Sequence, residues 1–160
     1  MTRSTQIAAG EPAPDFTLTD QHGQPCSLSE VLKQRCVVLY FYPKDDTPGC
    51  TKEACSFRDQ RPHFDGLDVP VFGVSADSTA AHARFVKKYS LNFPLLSDPE
   101  HTLLQAYGVW VEKSMYGKTY FGIQRATFVI GKNGHIEHVW PKVKADGHGG
   151  EVLEWLRAHP

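Results

Sequence analysis

Hydrophobic residues occur in short runs along the whole chain, separated by polar and turn-forming stretches, which is typical of strands alternating with helices. The run at 37–42 is unbroken and rich in β-branched and aromatic residues, as expected for a central strand covered on both faces. Residues 69–74, 95–97 and 124–130 are also largely apolar. These four stretches predict the core strands of a sheet.

Hairpins are predicted near both ends of the chain. Residues 16–18 and 26–28 alternate in polarity around a turn-rich stretch, which indicates two short paired strands. Residues 124–130 and 135–140 flank a Gly-Lys-Asn-Gly turn, and Asn-Gly between apolar segments is a strong hairpin signal. The first hairpin is expected to form an extension before the central strand.

Capping residues mark the starts of two early helices. Ser29 predicts a short helix that leads to the central strand. The pair Thr47-Pro48 predicts the next helix, with the Thr47 hydroxyl capping a free backbone amide and Pro48 in the first helical position. We expect this helix to open at Cys50, and Pro62 to end or kink it.

Three more helices are predicted downstream. Ser78 opens one of them, and its apolar residues recur at helical spacing. A second covers 100–107 and is stopped by Gly108. The last, 148–159, is amphipathic, with inward-facing residues at three positions: Val152, Trp155 and Leu156.

The order of these elements predicts an α/β fold, in which helices flank a mixed central sheet. The 160 residues suffice for one domain with its own core, which we place at 1–160.

Segment 110–122 mixes aromatic residues with lysines and glycines. It suits an irregular excursion or a hairpin, and taken alone it could also be a nucleic-acid platform.

The charge balance excludes several partners. Seventeen basic and eighteen acidic residues give a net charge of -1, so we expect neither nucleic acid nor a membrane surface as a partner.

No apolar run is long enough to span a bilayer, and 1–10 lacks the hydrophobic segment of a secretory signal. We therefore expect a cytoplasmic protein, in which four cysteines do not indicate a disulfide framework. Cys26 and Cys36 are interpreted as structural thiols.

Cys50 has the setting of a nucleophile. A free thiol is only about 3 % thiolate at pH 7, and a helix N-terminus or a nearby cation increases that fraction. The predicted position of Cys50, at a helix start beyond the carboxyl end of a strand, is where open α/β sheets bind ligands. The alternative is a half-buried structural cysteine.

The spacing of the next cysteine favours redox chemistry. Cys55 follows Cys50 by five positions, and an ideal helix would separate their Cα atoms by about 8.6 Å. Disulfides need roughly 4.4 to 6.8 Å, so this pair can close only if the helix unwinds locally. A transient catalytic bridge suits that requirement better than a permanent one. Four intervening residues also distinguish the pair from a Cys-x-x-Cys redox motif.

At these residues the sequence resembles the peroxiredoxins. Pro43-x-x-x-Thr47-x-x-Cys50 matches their signature, and the segment Thr-Pro-Gly-Cys-Thr-Lys-Glu-Ala-Cys at 47–55 closely resembles the PrxQ or bacterioferritin comigratory protein branch. The likeness continues through 15–18, 72–77, 93–98 and 125–130. It therefore covers nearly the whole chain.

The resemblance implies a thioredoxin-like fold and a thiol peroxidase that reduces hydrogen peroxide and organic hydroperoxides. Cys50 would be the peroxidatic thiol and Cys55 the resolving thiol. Thr47 and Arg125 would hold the peroxide, and Pro43 would shield it. The resemblance further implies a monomer that is re-reduced by thioredoxin or a similar thiol donor and that needs neither cofactor nor metal.

Other interpretations of the same residues remain. Without the family pattern, Arg125 would be a snorkelling edge residue or a member of a structural ion pair. The cysteine pair could serve a general thiol-disulfide oxidoreductase with no special rate toward peroxide. A zinc site could use Cys50, Cys55, His63 and perhaps His82, although these lie on two separate predicted helices.

Overall fold

The computed structural model describes residues 5–33 and 36–160. Its strands are β1 (Thr17–Thr19), β2 (Pro25–Ser27), β3 (Cys36–Phe41), β4 (Val71–Ser75), β5 (Leu95–Ser97), β6 (Trp110–Met115), β7 (Lys118–Ile123), β8 (Ala126–Gly131) and β9 (Ile136–Trp140). Its helices are α1 (Leu28–Val31), α2 (Pro48–Gly66), α3 (Thr79–Tyr89), α4 (Thr102–Ala106) and α5 (His148–Ala158). None of these helices combines the length and apolar character needed to cross a membrane.

Seven of the strands form a mixed sheet in the order β2-β1-β5-β4-β3-β8-β9. The central strand β3 is parallel to β4 and antiparallel to β8, and all six of its residues are buried. Side chains of a strand alternate between faces, so β3 contributes to two separate hydrophobic clusters. One lies against α1 and α4, and the other lies against α2, α3 and α5. The predicted α/β class and both predicted hairpins are confirmed.

One local prediction is wrong, and one of the two alternatives predicted for Pro62 is excluded. The short helix α1 begins at Leu28 after Ser27, not at Ser29, because Leu28 is buried in the core and its burial fixes where the turn starts. Pro62 does not end its helix, since α2 continues through it to Gly66. Proline in a helix removes one backbone hydrogen bond, but burial of Phe57 and Phe64 on either side holds the helix against the sheet.

The segment that the sequence left open is a hairpin. Strands β6 and β7 pair in antiparallel register from Trp110↔Ile123 to Met115↔Lys118. Tyr116 and Gly117 turn the chain with φ angles of 53° and 77°, the left-handed conformation that two-residue hairpin turns require. This hairpin leads through Gln124 to Arg125, which immediately precedes β8.

Candidate active site

The loop after β3 carries the chain from the sheet to the helix with both predicted redox cysteines. β3 ends at Phe41 and α2 begins at Pro48, with Thr47 as its extended N-cap residue. Cys50 is therefore the third residue of α2, and it is 2 % exposed. The predicted helix start is confirmed within two residues. It places the Cys50 side chain in the first helical turn, where backbone amides lack partners and the helix dipole is positive.

Arg125 reaches this thiol from the neighbouring strand. Phe41 at the end of β3 pairs with Ala126 at the start of β8, so the preceding Arg125 lies at the same edge of the sheet. Its Nη2 donates to Cys50 Sγ at 3.3 Å. A Cβ on Gly49 would lie 3.1 Å from Nη2, so glycine at this position leaves room for the guanidinium. A hydrogen bond from a cation favours the thiolate over the thiol.

Glu53 is part of the site, although the sequence analysis did not single it out. Arg125 Nη1 donates to Glu53 Oε1 at 2.6 Å, and the Glu53 side chain is fully buried. Its Oε2 atom has no hydrogen-bond partner among the described residues. The sequence signal that could have identified Glu53 is its spacing from Cys50. Glu53 follows Cys50 by three positions, and residues three apart share a helix face.

Burial and the charge of Arg125 act on the Glu53 carboxyl group in opposite directions. Burial raises the pKa of Glu53 to about 7, although Arg125 acts in the opposite direction. Burial also lowers the pKa of Arg125, but Glu53 and Cys50 more than offset this and raise it. The guanidinium therefore stays charged between two acidic groups that compete for it.

We expect this carboxyl group to give the fold a measurable pH dependence. Its folded-state pKa is raised from 4.5 to about 7, so the stability it contributes is fully present below about pH 4.5 and is lost as the pH rises through about 7. Native protein should lose roughly 3 kcal/mol of unfolding free energy over that window through Glu53. Urea denaturation at several pH values measures this loss.

The Glu53→Gln variant should lack that pH-dependent loss, because a neutral amide does not titrate. Glu154→Gln is the matched control, since Glu154 lies exposed on α5 and its replacement should leave the native pH dependence unchanged. Parallel curves for native protein and Glu53→Gln between pH 4.5 and 7 would show that Glu53 is not the titrating group.

Thr47 and Pro43 lie in the loop that precedes Cys50. Thr47 Oγ1 donates to the carbonyl oxygen of Lys44 at 2.9 Å, and its side chain forms no capping hydrogen bond with α2. The predicted cap is therefore wrong, because the turn of the loop brings a carbonyl oxygen to the hydroxyl instead. Pro43 is half-buried at the carboxyl end of the central strand.

Cys55 lies in the same uninterrupted helix as Cys50. It is half-buried, and both cysteines are free. α2 is helical through both positions, so the pair has the helical separation that the sequence predicts to be too long for a disulfide. Cys36 begins β3, at the opposite end of that strand. Cys26 lies in β2, where burial and then Asp20 raise its pKa to about 11.

The two histidines of the hypothetical zinc site have other partners. His82 Nδ1 lies 2.7 Å from Asp45 Oδ2 and its Nε2 lies 3.0 Å from the carbonyl oxygen of Leu96. His63 Nδ1 lies 3.3 Å from Arg157 Nη2. Across 5–33 and 36–160, histidine, cysteine and acidic side chains form no cluster of three or more that could hold a metal ion. The structure therefore does not support the zinc hypothesis.

A buried cysteine at a helix N-terminus that accepts a hydrogen bond from an arginine has the surroundings of a reactive thiol. The AhpC/TSA family matches residues 9–139. The chain belongs to this family and is a peroxiredoxin, that is, a thiol-dependent peroxidase.

Individual relatives are similar to this chain over nearly the full length of both proteins. The putative peroxiredoxin bcp of Coxiella burnetii is 53 % identical over 147 residues, which cover 92 % of this chain and 97 % of the relative. The peroxiredoxin Bcp of Bacillus subtilis is 48 % identical over 94 % of this chain and 96 % of its own.

Solved structures give the same result for the fold. The bacterioferritin comigratory protein of Xanthomonas campestris superposes with a TM-score of 0.88 at 39 % identity, covering 94 % of this chain and 98 % of that chain. A cysteine-to-serine mutant of Xylella fastidiosa PrxQ gives a TM-score of 0.90 at 37 % identity, over 98 % and 99 %. The predicted thioredoxin-like fold and the resemblance to the PrxQ branch are confirmed.

Proposed function

We propose that Cys50 is the peroxidatic thiol and that it reduces hydrogen peroxide and organic hydroperoxides. The Cys50 thiolate attacks one peroxide oxygen, so that an S–O bond forms while the O–O bond breaks. The leaving hydroxide or alkoxide takes a proton and departs as water or an alcohol, and Cys50 becomes a sulfenic acid. The observation that carries this proposal is the hydrogen bond from Arg125 to the Cys50 sulfur.

Arg125 and Thr47 supply complementary contacts to the peroxide. Negative charge develops on the leaving oxygen, and the Arg125 guanidinium can donate to it, which stabilises the transition state. The Thr47 hydroxyl already donates to Lys44. Its lone pairs remain to accept a hydrogen bond from the peroxide, which would orient the attacked oxygen. Pro43 shields the site from water at the carboxyl end of β3.

Cys55 then resolves the sulfenic acid. Its thiolate attacks the Cys50 sulfur, so that an intramolecular S–S bond forms while the S–O bond breaks, and the leaving hydroxide takes a proton to become water. This step requires the first turns of α2 to unwind and the contact between Arg125 and Cys50 to break. A thioredoxin-type dithiol reopens the disulfide by exchange. We place this cycle in a cytoplasmic monomer with a single domain at 1–160 that uses no cofactor or metal.

Two features of the relatives support peroxide as the substrate. Proteins of this family named peroxiredoxins cover the chain almost completely, and the Xanthomonas campestris protein is described by its alkyl peroxide reduction activity. Single-turnover peroxide reduction by the prereduced protein, without added metal or haem, tests the proposal. Mass spectrometry of the oxidised product should show a disulfide between Cys50 and Cys55. Disulfide exchange without rapid peroxide consumption would instead indicate a general oxidoreductase.

Replacing the resolving thiol should separate the two half-reactions. The Cys55→Ser variant should reduce about one equivalent of peroxide at the native rate and then stall as a Cys50 sulfenic acid that is open to further oxidation. A dimedone adduct on Cys50, detected by mass spectrometry, measures the stalled species. Normal turnover of this variant with a thioredoxin-type reductant would assign resolution to Cys26, Cys36 or the reductant itself.

The two oxidation states should differ locally around 48–58. Amide exchange in this segment should be faster in the disulfide form than in the thiol form, because closing the bridge removes backbone hydrogen bonds from the first turns of α2. Exchange in β3, β4 and β8 should change little and provides the internal reference. Equal protection of 48–58 in both forms would contradict the requirement for unwinding.

A further inference from the structure

Two consecutive aspartates connect the active-site loop to α3. Asp45 Oδ2 lies 2.7 Å from His82 Nδ1, and the side chains of both residues are almost completely buried. Tyr42, which follows β3, donates its hydroxyl to Asp45 Oδ1 at 2.5 Å. The other ring nitrogen of His82 contacts the carbonyl oxygen of Leu96 in β5. His82 therefore links the loop to the sheet through two fixed contacts.

Asp46 has a second set of contacts with the end of α3. Tyr89 donates its hydroxyl to Asp46 Oδ1 at 2.7 Å, and Lys88 Nζ donates to Oδ2 at 2.8 Å. Asp46 has a φ of 58°, a left-handed conformation that is uncommon for residues other than glycine, although aspartate adopts it more readily than most. Such conformations persist where the surrounding structure determines them, and they cluster at functional sites. The contacts from α3 hold this conformation immediately before Thr47.

The backbone of the loop is fixed at the same place. The amide of Asp45 donates to Asp77 Oδ2 at 2.9 Å, and the Ser75 hydroxyl donates to the same oxygen at 2.7 Å. Asp77 lies between β4 and α3. Side chains and backbone of 45–46 are thus held from one side, while Cys50 is held from the other side by Arg125.

We propose that His82 and Tyr89 are positioning residues for peroxide reduction, which act through Asp45 and Asp46 to set the place of Thr47 relative to Cys50. This inference rests on the proposed function. A displacement of about 1 Å in a reacting or orienting group can slow a reaction roughly 100-fold. Loss of these contacts should therefore slow the attack on peroxide more than it changes the general reactivity of the thiol.

The test compares two reactions of Cys50 in the prereduced protein. Oxidation by hydrogen peroxide requires the orienting groups, whereas alkylation by iodoacetamide requires only an accessible thiolate. Tyr89→Phe removes one hydroxyl and keeps the ring that packs against Phe85. His82→Ala removes both imidazole contacts. The matched controls are Tyr116→Phe, at the exposed hairpin tip, and His135→Ala, in the turn between β8 and β9.

We expect oxidation to slow roughly 3- to 10-fold in Tyr89→Phe and roughly 10- to 100-fold in His82→Ala, with alkylation changed less than about twofold. Both controls should react at the native rate. If His82→Ala fails to fold, the oxidation and alkylation rates of Tyr89→Phe alone test the positioning role. Native oxidation rates in the folded variants, or a parallel loss of oxidation and alkylation, would overturn the positioning role. Native protein that does not consume peroxide would instead overturn the proposed function.

Discussion

Replacing Cys50 with serine is expected to abolish peroxide turnover while leaving the fold intact. A serine hydroxyl is scarcely ionised at neutral pH and cannot form a sulfenic acid, so the covalent cycle has no first step. The side chain is buried in the first turn of α2, and oxygen in place of sulfur changes its volume little. Steady-state peroxide consumption with a thioredoxin-type reductant, together with circular dichroism, measures both parts of the expectation.

Cys26→Ser is the matched control for this experiment. Cys26 is also a free, partly buried thiol, but its raised pKa of about 11 leaves only about 0.01 % of it as thiolate at pH 7. Its replacement should leave turnover unchanged. If Cys50→Ser kept more than a small residue of activity, another thiol would have to be the nucleophile, and loss of activity in Cys26→Ser would identify it.

The second large effect is expected from Arg125→Met, which should slow the oxidation step by roughly 10- to 1,000-fold, the scale of losing an oriented donor. The substitution removes the hydrogen bond to Cys50 and the donor for the leaving oxygen at once. Thr47→Val should cost less within the same range, because it removes an orienting acceptor but no charge. Stopped-flow measurement of peroxide oxidation at several pH values follows both variants.

Arg125→Met also leaves Glu53 buried without a neighbouring cation. The effect of this substitution on the fold must therefore be separated from its effect on the reaction. The double variant Arg125→Met with Glu53→Gln removes that buried charge. If Arg125 acts on the sulfur and the peroxide, the double variant stays slow. Recovery of the native rate would reduce Arg125 to a counter-ion for Glu53. Arg61→Met is the control, since Arg61 pairs with Asp65 on the exposed face of α2.

The local pattern of the sequence determined most of the elements. Apolar runs and turn residues predicted β3, β4, β8 and both hairpins, because a strand buried on both faces must be apolar throughout. Thr47-Pro48 predicted the start of α2 and hence the position of Cys50. These signals are short in range, since each depends on neighbours within a few residues of the chain.

The tertiary structure decided which side chains meet. Arg125 and Cys50 are 75 positions apart, and the register of β8 on β3 brings them together. The same arrangement makes Glu53 the second partner of Arg125, and crossover through α3 places His82 beside Asp45. Pro62 stays within α2 because Phe57 and Phe64, which precede and follow it in the helix, are buried. Such contacts depend on strand order and register, and periodicity along the chain carries no information about either.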